Sequence, residues 1–323
     1  MIWVTWAQHR REALVSGVIL MVATALLVIT GLSMLADFEH SGTAACAGTG
    51  GTAVGVFLTG SPCDPVIDSF TARWFQLKGT AELALWTLPA LLGVFIAAPL
   101  LSREFEQGTH LFAWSQSITR LRWALVKLGL ISAFVLIAAA AIATLAAWWH
   151  APLDRAGFNG WWDAFDVEGI APVAYAAFAL ALGSLAGLLL RRTVPAMALT
   201  LFVFVAVRIL IVLVRPHFMT AVTGSALDLR QGSWLLTSTY YADAQGHRLS
   251  FEKVNEMTSV YITKTQSSSG VMDYLHQQGI NLLAVYQPLD RFWTFQLVEA
   301  AIFLGLALVL FVLSAWWLQK RVR

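Results

Sequence analysis

The sequence predicts an all-α membrane protein that crosses the bilayer six times. Of its 323 residues, 58% are hydrophobic and only 12% are charged, and the mean hydropathy is +0.68. Soluble domains are about a quarter charged, so this chain has too little charge to cover a soluble surface of its size. Fourteen tryptophans suit the two membrane–water interfaces, where indole rings collect. The composition excludes an ordinary cytosolic enzyme, a disordered chain and a nucleic-acid-binding protein that relies on a basic surface.

Six apolar stretches are long enough to span the hydrocarbon, for which a helix needs about 20 residues at about 1.5 Å each. They cover residues 13–36, 83–101, 128–149, 169–190, 194–214 and 300–318. The first stretch is longer than the core of a signal peptide, which has about 7–15 residues, so we interpret it as a span.

The charges of the loops predict the orientation, because arginine and lysine concentrate on the inner side of a membrane. With the N-terminus inside, the inner segments carry an excess of basic residues and the two shorter outer loops carry an excess of acids. An even number of spans returns the C-terminus, which ends in Lys-Arg-Val-Arg, to the same side. Both termini are therefore predicted to be cytoplasmic.

The outer segments differ in size. Residues 37–82 form a loop rich in Gly, Thr and Ala that contains the only two cysteines, Cys46 and Cys63. Disulfides persist on the outer side, so we expect a bridge, with two free thiols as the alternative. Residues 215–299 form the largest outer segment, which we interpret as a small extracytoplasmic subdomain with short helices over 250–261 and 270–278.

The N-terminal residues 1–12 have an amphipathic pattern. Ile2, Trp3 and Trp6 share one helical face and are followed by basic residues. This pattern favours a helix that lies in the inner headgroups before the first span. A frayed end with one basic anchor is the alternative.

No motif for nucleotide binding or catalysis is present in the sequence. A P-loop requires a glycine directly before its lysine, and none of the lysines follows a glycine. The histidines lack the spacing of a zinc protease, and there is no Cys–His cluster and no Gly-x-Ser-x-Gly elbow. We predict no catalytic residue, no metal and no cofactor bound by this chain. If ATP drives the protein, a separate polypeptide binds it.

Arg208 is the only charge well inside a predicted span. A long cationic side chain can extend to the interface, or it can line a polar cavity within the membrane. The sequence leaves both interpretations open.

The inner loop at residues 102–127 is the most informative segment. Ser102 can cap a helix whose first turn holds Glu104 and Glu106, next to the positive end of the helix dipole. A Gly-Thr pair can end that helix, and Ser117 or Thr119 can begin the next. Apolar residues lie between them in a segment that should be wet. This pattern suits docking to a soluble partner, and equally a helix that lies on lipid.

The residues of this loop resemble those of ABC-2 type transporter permeases, most closely bacterial and especially actinobacterial exporter permeases. The resemblance rests on Arg-Glu-Phe-Glu-Gln-Gly-Thr at 103–109, Ala-Trp-Ser-Gln-Ser at 113–117 and Thr-Arg-Leu-Arg-Trp at 119–123, with further similarity at 287–288 and 291–296. It implies six spans in a type V exporter-like fold, in which the loop is a coupling helix seated in a cleft of an ATPase. The N-terminal helix is shorter than is usual in that family. The coupling residues implied by the resemblance are Arg103, Glu104, Glu106, Gly108, Thr109, Leu111, Trp114, Thr119, Arg120 and Arg122.

The resemblance further implies a permease subunit of an ATP-driven exporter in the bacterial cytoplasmic membrane. Two ABC ATP-binding subunits would hold ATP and Mg²⁺, and a second permease copy or a related permease would complete the complex. In that family the second and fifth spans form much of the path, which here places Leu92, Phe95, Phe202 and Arg208 along it. The aliphatic character of these spans favours a hydrophobic or amphipathic cargo, such as a drug, antibiotic, peptide or lipid, over a polar sugar.

Two other classes of function are compatible with a six-span chain. One is an integral-membrane lipid-modifying enzyme, although the outer Asp and His residues show no spacing pattern. The other is a non-transporting assembly or sensor subunit that uses 215–299 as a binding module. Both predict that loss of ATPase docking leaves activity intact.

Overall fold

A computed structural model describes residues 2–47, 63–108, 119–157, 162–229, 232–266 and 270–320. The helices are α1 (Ile2–His40), α2 (Thr43–Cys46), α3 (Asp64–Leu92), α4 (Ala98–Glu106), α5 (Arg120–Arg155), α6 (Ala171–Leu190), α7 (Thr193–Val214), α8 (Phe251–Thr265), α9 (Val271–Gln277) and α10 (Phe292–Lys320). A π-helical segment, Gly93–Ala97, joins α3 to α4.

Within the described residues, six helical stretches are long and apolar enough to cross a membrane, which confirms the six-span prediction. They are Met21–His40, Asp64–Glu106, Leu121–Arg155, Ala171–Leu190, Thr193–His217 and Leu289–Lys320. Several helices extend beyond the predicted spans. Residues 1–12 and 13–36 were expected as separate elements, but α1 runs through both without a break. Much of the predicted outer loop 37–82 is helical as well, because α3 begins at Asp64.

The core of the bundle is α6, which contacts α3, the π segment, α4, α5, α7 and α10. Most of its residues are buried, and many are alanine or glycine. A β-carbon built on Gly183 would lie 2.6 Å from the Gly93 carbonyl oxygen, and one on Gly187 would lie 2.5 Å from the Ala98 carbonyl oxygen. The two glycines therefore let the backbone of α6 touch the backbone of the second span, as small residues do in membrane helix packing.

The second span changes helix type where it meets α6. Pro99 has no N–H to donate to the Phe95 carbonyl, so the regular α-helical bonding cannot continue through this turn. The Ala98 N–H instead donates to the Gly93 carbonyl, five residues back. Such π segments are typical of functional positions in helices.

The region between α7 and α10 contains a four-stranded antiparallel sheet in addition to the expected helices. The strands are β1 (Val222–Ser225), β2 (Trp234–Leu235), β3 (Tyr240–Ala242) and β4 (Asn281–Gln287). β4 is central, with β1 on one side and β2 and β3 on the other. The helices α8 and α9 match the predicted short helices closely. The sheet was not predicted, because three of its strands have only two to four residues.

Cys46 and Cys63 are joined by a disulfide, with their Cα atoms 5.5 Å apart. The bridge connects α2 to the beginning of α3. More than two turns further along α3, Arg73 forms an ion pair with Asp37 of α1, and the Trp74 indole donates to the same carboxylate at 2.9 Å. These contacts hold the first two spans together on one side of the bundle.

Candidate functional site

The two ends of the bundle carry different polar groupings. We call the end where α4 ends, α5 begins and α6 turns into α7 the coupling end, and the opposite end, next to the sheet, the subdomain end. Residues of the predicted coupling loop lie at the coupling end. Arg208 and its neighbours lie near the subdomain end.

The structure corrects the expected start of the coupling helix. Ser102 does not begin a new helix, since it lies within α4, which continues the second span to Glu106. The Ser102 hydroxyl is buried and donates to the Ala98 carbonyl at 2.8 Å. Glu104 and Glu106 therefore occupy the last turn of a helix, where the negative end of the dipole disfavours carboxylates. They are stabilised by groups from other helices instead.

Glu106 caps the N-terminus of α7. Its Oε2 atom accepts a hydrogen bond from the Thr193 backbone N–H at 3.0 Å and another from the Thr193 hydroxyl at 2.7 Å. The N-cap residue Arg192 supplies no side-chain cap of its own. A carboxylate at a helix N-terminus satisfies an orphan N–H and favours the dipole. The end of the second span is thus bonded to the start of the fifth.

Glu104 and Phe105 complete the connection to the neighbouring helices. Glu104 forms an ion pair with Lys127 of α5, whose side chain is buried. The Arg191 guanidinium, in the turn between α6 and α7, lies 5.6 Å from the centre of the Phe105 ring. Phe105 packs against a buried apolar cluster that contains Leu101, Trp123, Leu188 and Leu318. The end of α4 therefore cannot move without moving its contacts with α5 and α7.

The loop that follows α4 is only partly described. Gly108 adopts a left-handed conformation at φ +72°, directly after the helix ends. Thr119 is the N-cap of α5, and its side chain accepts from the Arg122 backbone N–H at 3.3 Å. Thr109, Leu111, Trp114 and the side chain of Arg120 lie outside the described residues. Arg103 and Arg122 are exposed.

The subdomain end contains a buried network of four charged side chains. Arg208 is 1% exposed, so it neither extends to the interface nor lines an open cavity. It pairs with Glu299 of α10 and with Asp166, both at 3.2 Å. Arg215, one residue past α7, pairs with the same two carboxylates and reaches Glu299 Oε2 at 2.7 Å. We call Asp166, Arg208, Arg215 and Glu299 the charge network; its two cations and two anions balance.

Tyr175 of α6 completes the network. Its hydroxyl donates to Glu299 Oε1 at 2.6 Å, and its ring lies 3.7 Å from the Arg208 guanidinium carbon. Burial disfavours the Asp166 carboxylate, but the neighbouring Arg215 and Arg208 outweigh it and lower the pKa of Asp166. The network joins α6, α7, α10 and the link before α6 in one buried unit.

A second buried connection lies beside the charge network. Gln296 of α10 is fully buried, and its Oε1 atom accepts from the backbone N–H groups of Ile170 and Ala171 at 3.1 and 2.8 Å. Its amide nitrogen donates to the carbonyls of Phe165 and Glu168 at 2.8 and 3.1 Å. Gln296 thus caps α6 from another helix, as Glu106 caps α7.

The family model described as ABC-2 membrane transporter related matches residues 17–215. The chain belongs to the ABC-2 membrane transporter related family. No curated protein and no solved structure matches it. Family membership confirms the resemblance seen in the coupling loop, and with the six spans it identifies a multi-pass transporter permease. The match ends at Arg215, just before the sheet.

For an ABC-2 permease, the predicted path residues are not all placed on one surface. Phe95 of the π segment and Phe202 of α7 are 62% and 73% exposed on the bundle surface. Leu92 is partly buried at the end of α3. Arg208 is enclosed by the charge network and does not share that surface.

The sequence analysis does not predict the partners of Arg208, although the sequence contains an indication of one of them. An arginine inside a span requires an acidic partner, and Glu299 directly precedes the sixth predicted stretch. His150 was missed in the same way. Its Nδ1 lies 2.7 Å from Glu168 and its Nε2 lies 3.3 Å from Glu82, so it joins α3, α5 and the link before α6. Across the described ranges, no cluster of His, Cys, Asp and Glu is arranged to hold a metal ion.

Proposed function

We propose that this ABC-2 permease is the membrane subunit of an ATP-driven exporter in the bacterial cytoplasmic membrane. Two separate ABC subunits bind ATP and Mg²⁺, and a second copy of this chain or a related permease completes the complex. Each ABC subunit docks on the segment 103–122. The observation that supports this most strongly is the Glu106 cap, because it connects the docking segment directly to the start of α7.

Docking has an effect only if the ABC subunit binds the two states of the permease with different affinity. Closure of the ABC subunits on ATP would displace the end of α4. Three contacts then pass the displacement on. Glu106 carries it to α7, Glu104 carries it through Lys127 to α5, and the backbone contact at Gly187 carries it to α6.

The charge network decides which end of α7 moves. Removing one partner of a buried ion pair costs about 3–5 kcal/mol, because the other charge is left uncompensated. Arg208 and Arg215 therefore hold the subdomain end of α7 on α6 and α10. A displacement that enters at Thr193 turns α7 about that fixed end, and this changes the access of the path at the coupling end.

The chemistry of the exposed helix faces supports a hydrophobic or amphipathic cargo, such as a drug, antibiotic, peptide or lipid. Phe95 and Phe202 are large, apolar and exposed, as are Leu210 and Leu213 on α7. In a complex of two permeases, such faces would line the path or contact the second permease. A polar sugar would find few hydrogen-bonding groups on them.

The docking assignment is tested with one exposed charge at each end. We expect Arg103→Glu to reduce co-purification with the cognate ABC protein by about tenfold or more, while membrane insertion persists. Lys253→Glu, the same charge change on α8, should bind the ABC protein normally. If Arg103→Glu binds and stimulates that ATPase as the wild type does, or if only Lys253→Glu fails, the docking segment is wrongly assigned.

A further inference from the structure

A groove between α5 and α10 opens on the bundle surface at the coupling end. Its volume is about 250 Å³. Leu101 of α4 and Leu188, near the end of α6, also line it. The side chains that shape it are apolar or small, and those used below are Leu121, Leu125, Gly129, Ser314, Ala315 and Leu318.

Small residues leave this groove open, and its chemistry is that of hydrocarbon. A β-carbon built on Gly129 would meet no atom within 4 Å, so the space above that residue is free. The Ser314 hydroxyl donates to the Leu310 carbonyl of its own helix at 2.8 Å, so it needs no partner from a ligand. Leu125, on the rim, is 57% exposed. An occupant of this groove is therefore an apolar chain.

The charges beside the groove indicate which polar group the occupant carries next to its apolar chain. Arg122 lies three residues before Leu125 and seven before Gly129, so it shares their helix face and sits nearer the end of the bundle. Arg122 and Lys320, at the end of α10, are both exposed. Among the side chains that the structure describes at this end, both acids are engaged, Glu104 with Lys127 and Glu106 with Thr193. The environment beside the groove therefore favours an anion.

We propose that the groove is a specific site for an anionic phospholipid. One acyl chain lies along Gly129 and Ala315, and the headgroup phosphate contacts Arg122, with Lys320 nearby. The site adjoins the first turns of α5, which carry Lys127 to its ion pair with Glu104. A bound lipid would hold this part of the coupling end in place. The proposal does not depend on ATP-driven transport, since the groove is formed by the permease alone.

Binding is measured by native mass spectrometry on the purified full chain, after incubation with equal amounts of phosphatidylglycerol and phosphatidylcholine that have the same acyl chains. The wild type should retain phosphatidylglycerol about tenfold better than phosphatidylcholine. Gly129→Leu fills the groove and should lose the retained lipid. Gly305→Leu is the matched control, because Gly305 also has open space at its β-carbon position but lies outside the groove.

Arg122→Gln tests the headgroup separately. It should keep a lipid but lose the preference for phosphatidylglycerol. Three results would overturn the site: a wild type without headgroup preference, a Gly129→Leu chain that retains as much phosphatidylglycerol as the wild type, or equal losses in Gly129→Leu and Gly305→Leu. The last result would indicate bulk lipid on the bundle surface.

Discussion

Two neighbouring helices, α6 and α7, are capped in the same way at opposite ends of the bundle. In each, a side chain from a helix far away in the sequence accepts from the backbone at the N-terminus: Gln296 from two N–H groups at the start of α6, and Glu106 from the Thr193 N–H of α7. Gln296 is fully buried and makes four hydrogen bonds, whereas Glu106 is exposed and its cap consists of the two bonds to Thr193. A helix cap of the same kind is therefore buried at the subdomain end and exposed at the coupling end.

The surroundings of the two caps also differ in burial, and the more deeply buried groups are those around Gln296. Beside Gln296 lies the charge network, in which Glu299 is completely buried and contacts two arginines. Beside Glu106 lie the exposed Arg103 and an ion pair between Glu104 and Lys127, and the helix ends at Glu106 itself. A buried, multiply bonded grouping resists displacement, while an exposed one can exchange its bonds with water. The difference indicates a bundle that is fixed at the subdomain end and adjustable at the coupling end.

The largest expected effect comes from breaking the charge network. Glu299→Ala leaves two buried arginines with Asp166 alone, and we expect a loss of about 3–5 kcal/mol of stability. The comparison variant is Arg73→Gln, which removes the exposed ion pair with Asp37 and should cost at most about 1 kcal/mol. Thermal unfolding of the detergent-solubilised chain measures both. Equal midpoints for the two variants would mean that the network is not what fixes this end.

The two caps can be compared directly. Gln296→Leu leaves buried N–H and C=O groups without partners and should cost about 1–3 kcal/mol. Glu106→Gln keeps the size of the side chain and lies in an exposed position, so the unfolding midpoint should stay near that of the wild type. The same thermal measurement applies. A large destabilisation by Glu106→Gln would show that the coupling end is as fixed as the other.

A smaller effect is expected where α6 touches the second span. Gly183→Ala places a methyl group against the Gly93 carbonyl, and overpacking of this kind costs about 1–3 kcal/mol, offset in part by the better helix propensity of alanine. Gly305→Ala, in open space on α10, should gain that propensity without the clash. If Gly183→Ala is as stable as Gly305→Ala, the close backbone contact is not required.

The sequence was sufficient for the features that depend on local composition. Runs of apolar residues located all six spans, and the residue pattern at 103–123 identified the family. Contacts between residues that are far apart in the sequence could not be predicted from local composition. Glu106 and Thr193 are 87 residues apart, and Gln296 and Ala171 are 125 apart, so nothing local connects them. Ser102 was misplaced as a cap because polar residues after a span do not show whether the helix continues.

The turn of α7 that we propose provides the most direct test of the central claim. The only cysteines are joined in a disulfide, so introduced cysteines can be spin-labelled selectively. One pair, Val194→Cys with Gln319→Cys, reports the coupling ends of α7 and α10. The other, Leu213→Cys with Leu297→Cys, reports their subdomain ends, and all four positions are exposed.

Both distances are measured by pulsed electron paramagnetic resonance on the complex with the ABC protein in nanodiscs, before and after trapping with ATP and vanadate. The account predicts that the 194–319 distance changes while the 213–297 distance stays the same. An unchanged 194–319 distance, or an equal change in both pairs, would contradict a helix that turns about a fixed subdomain end.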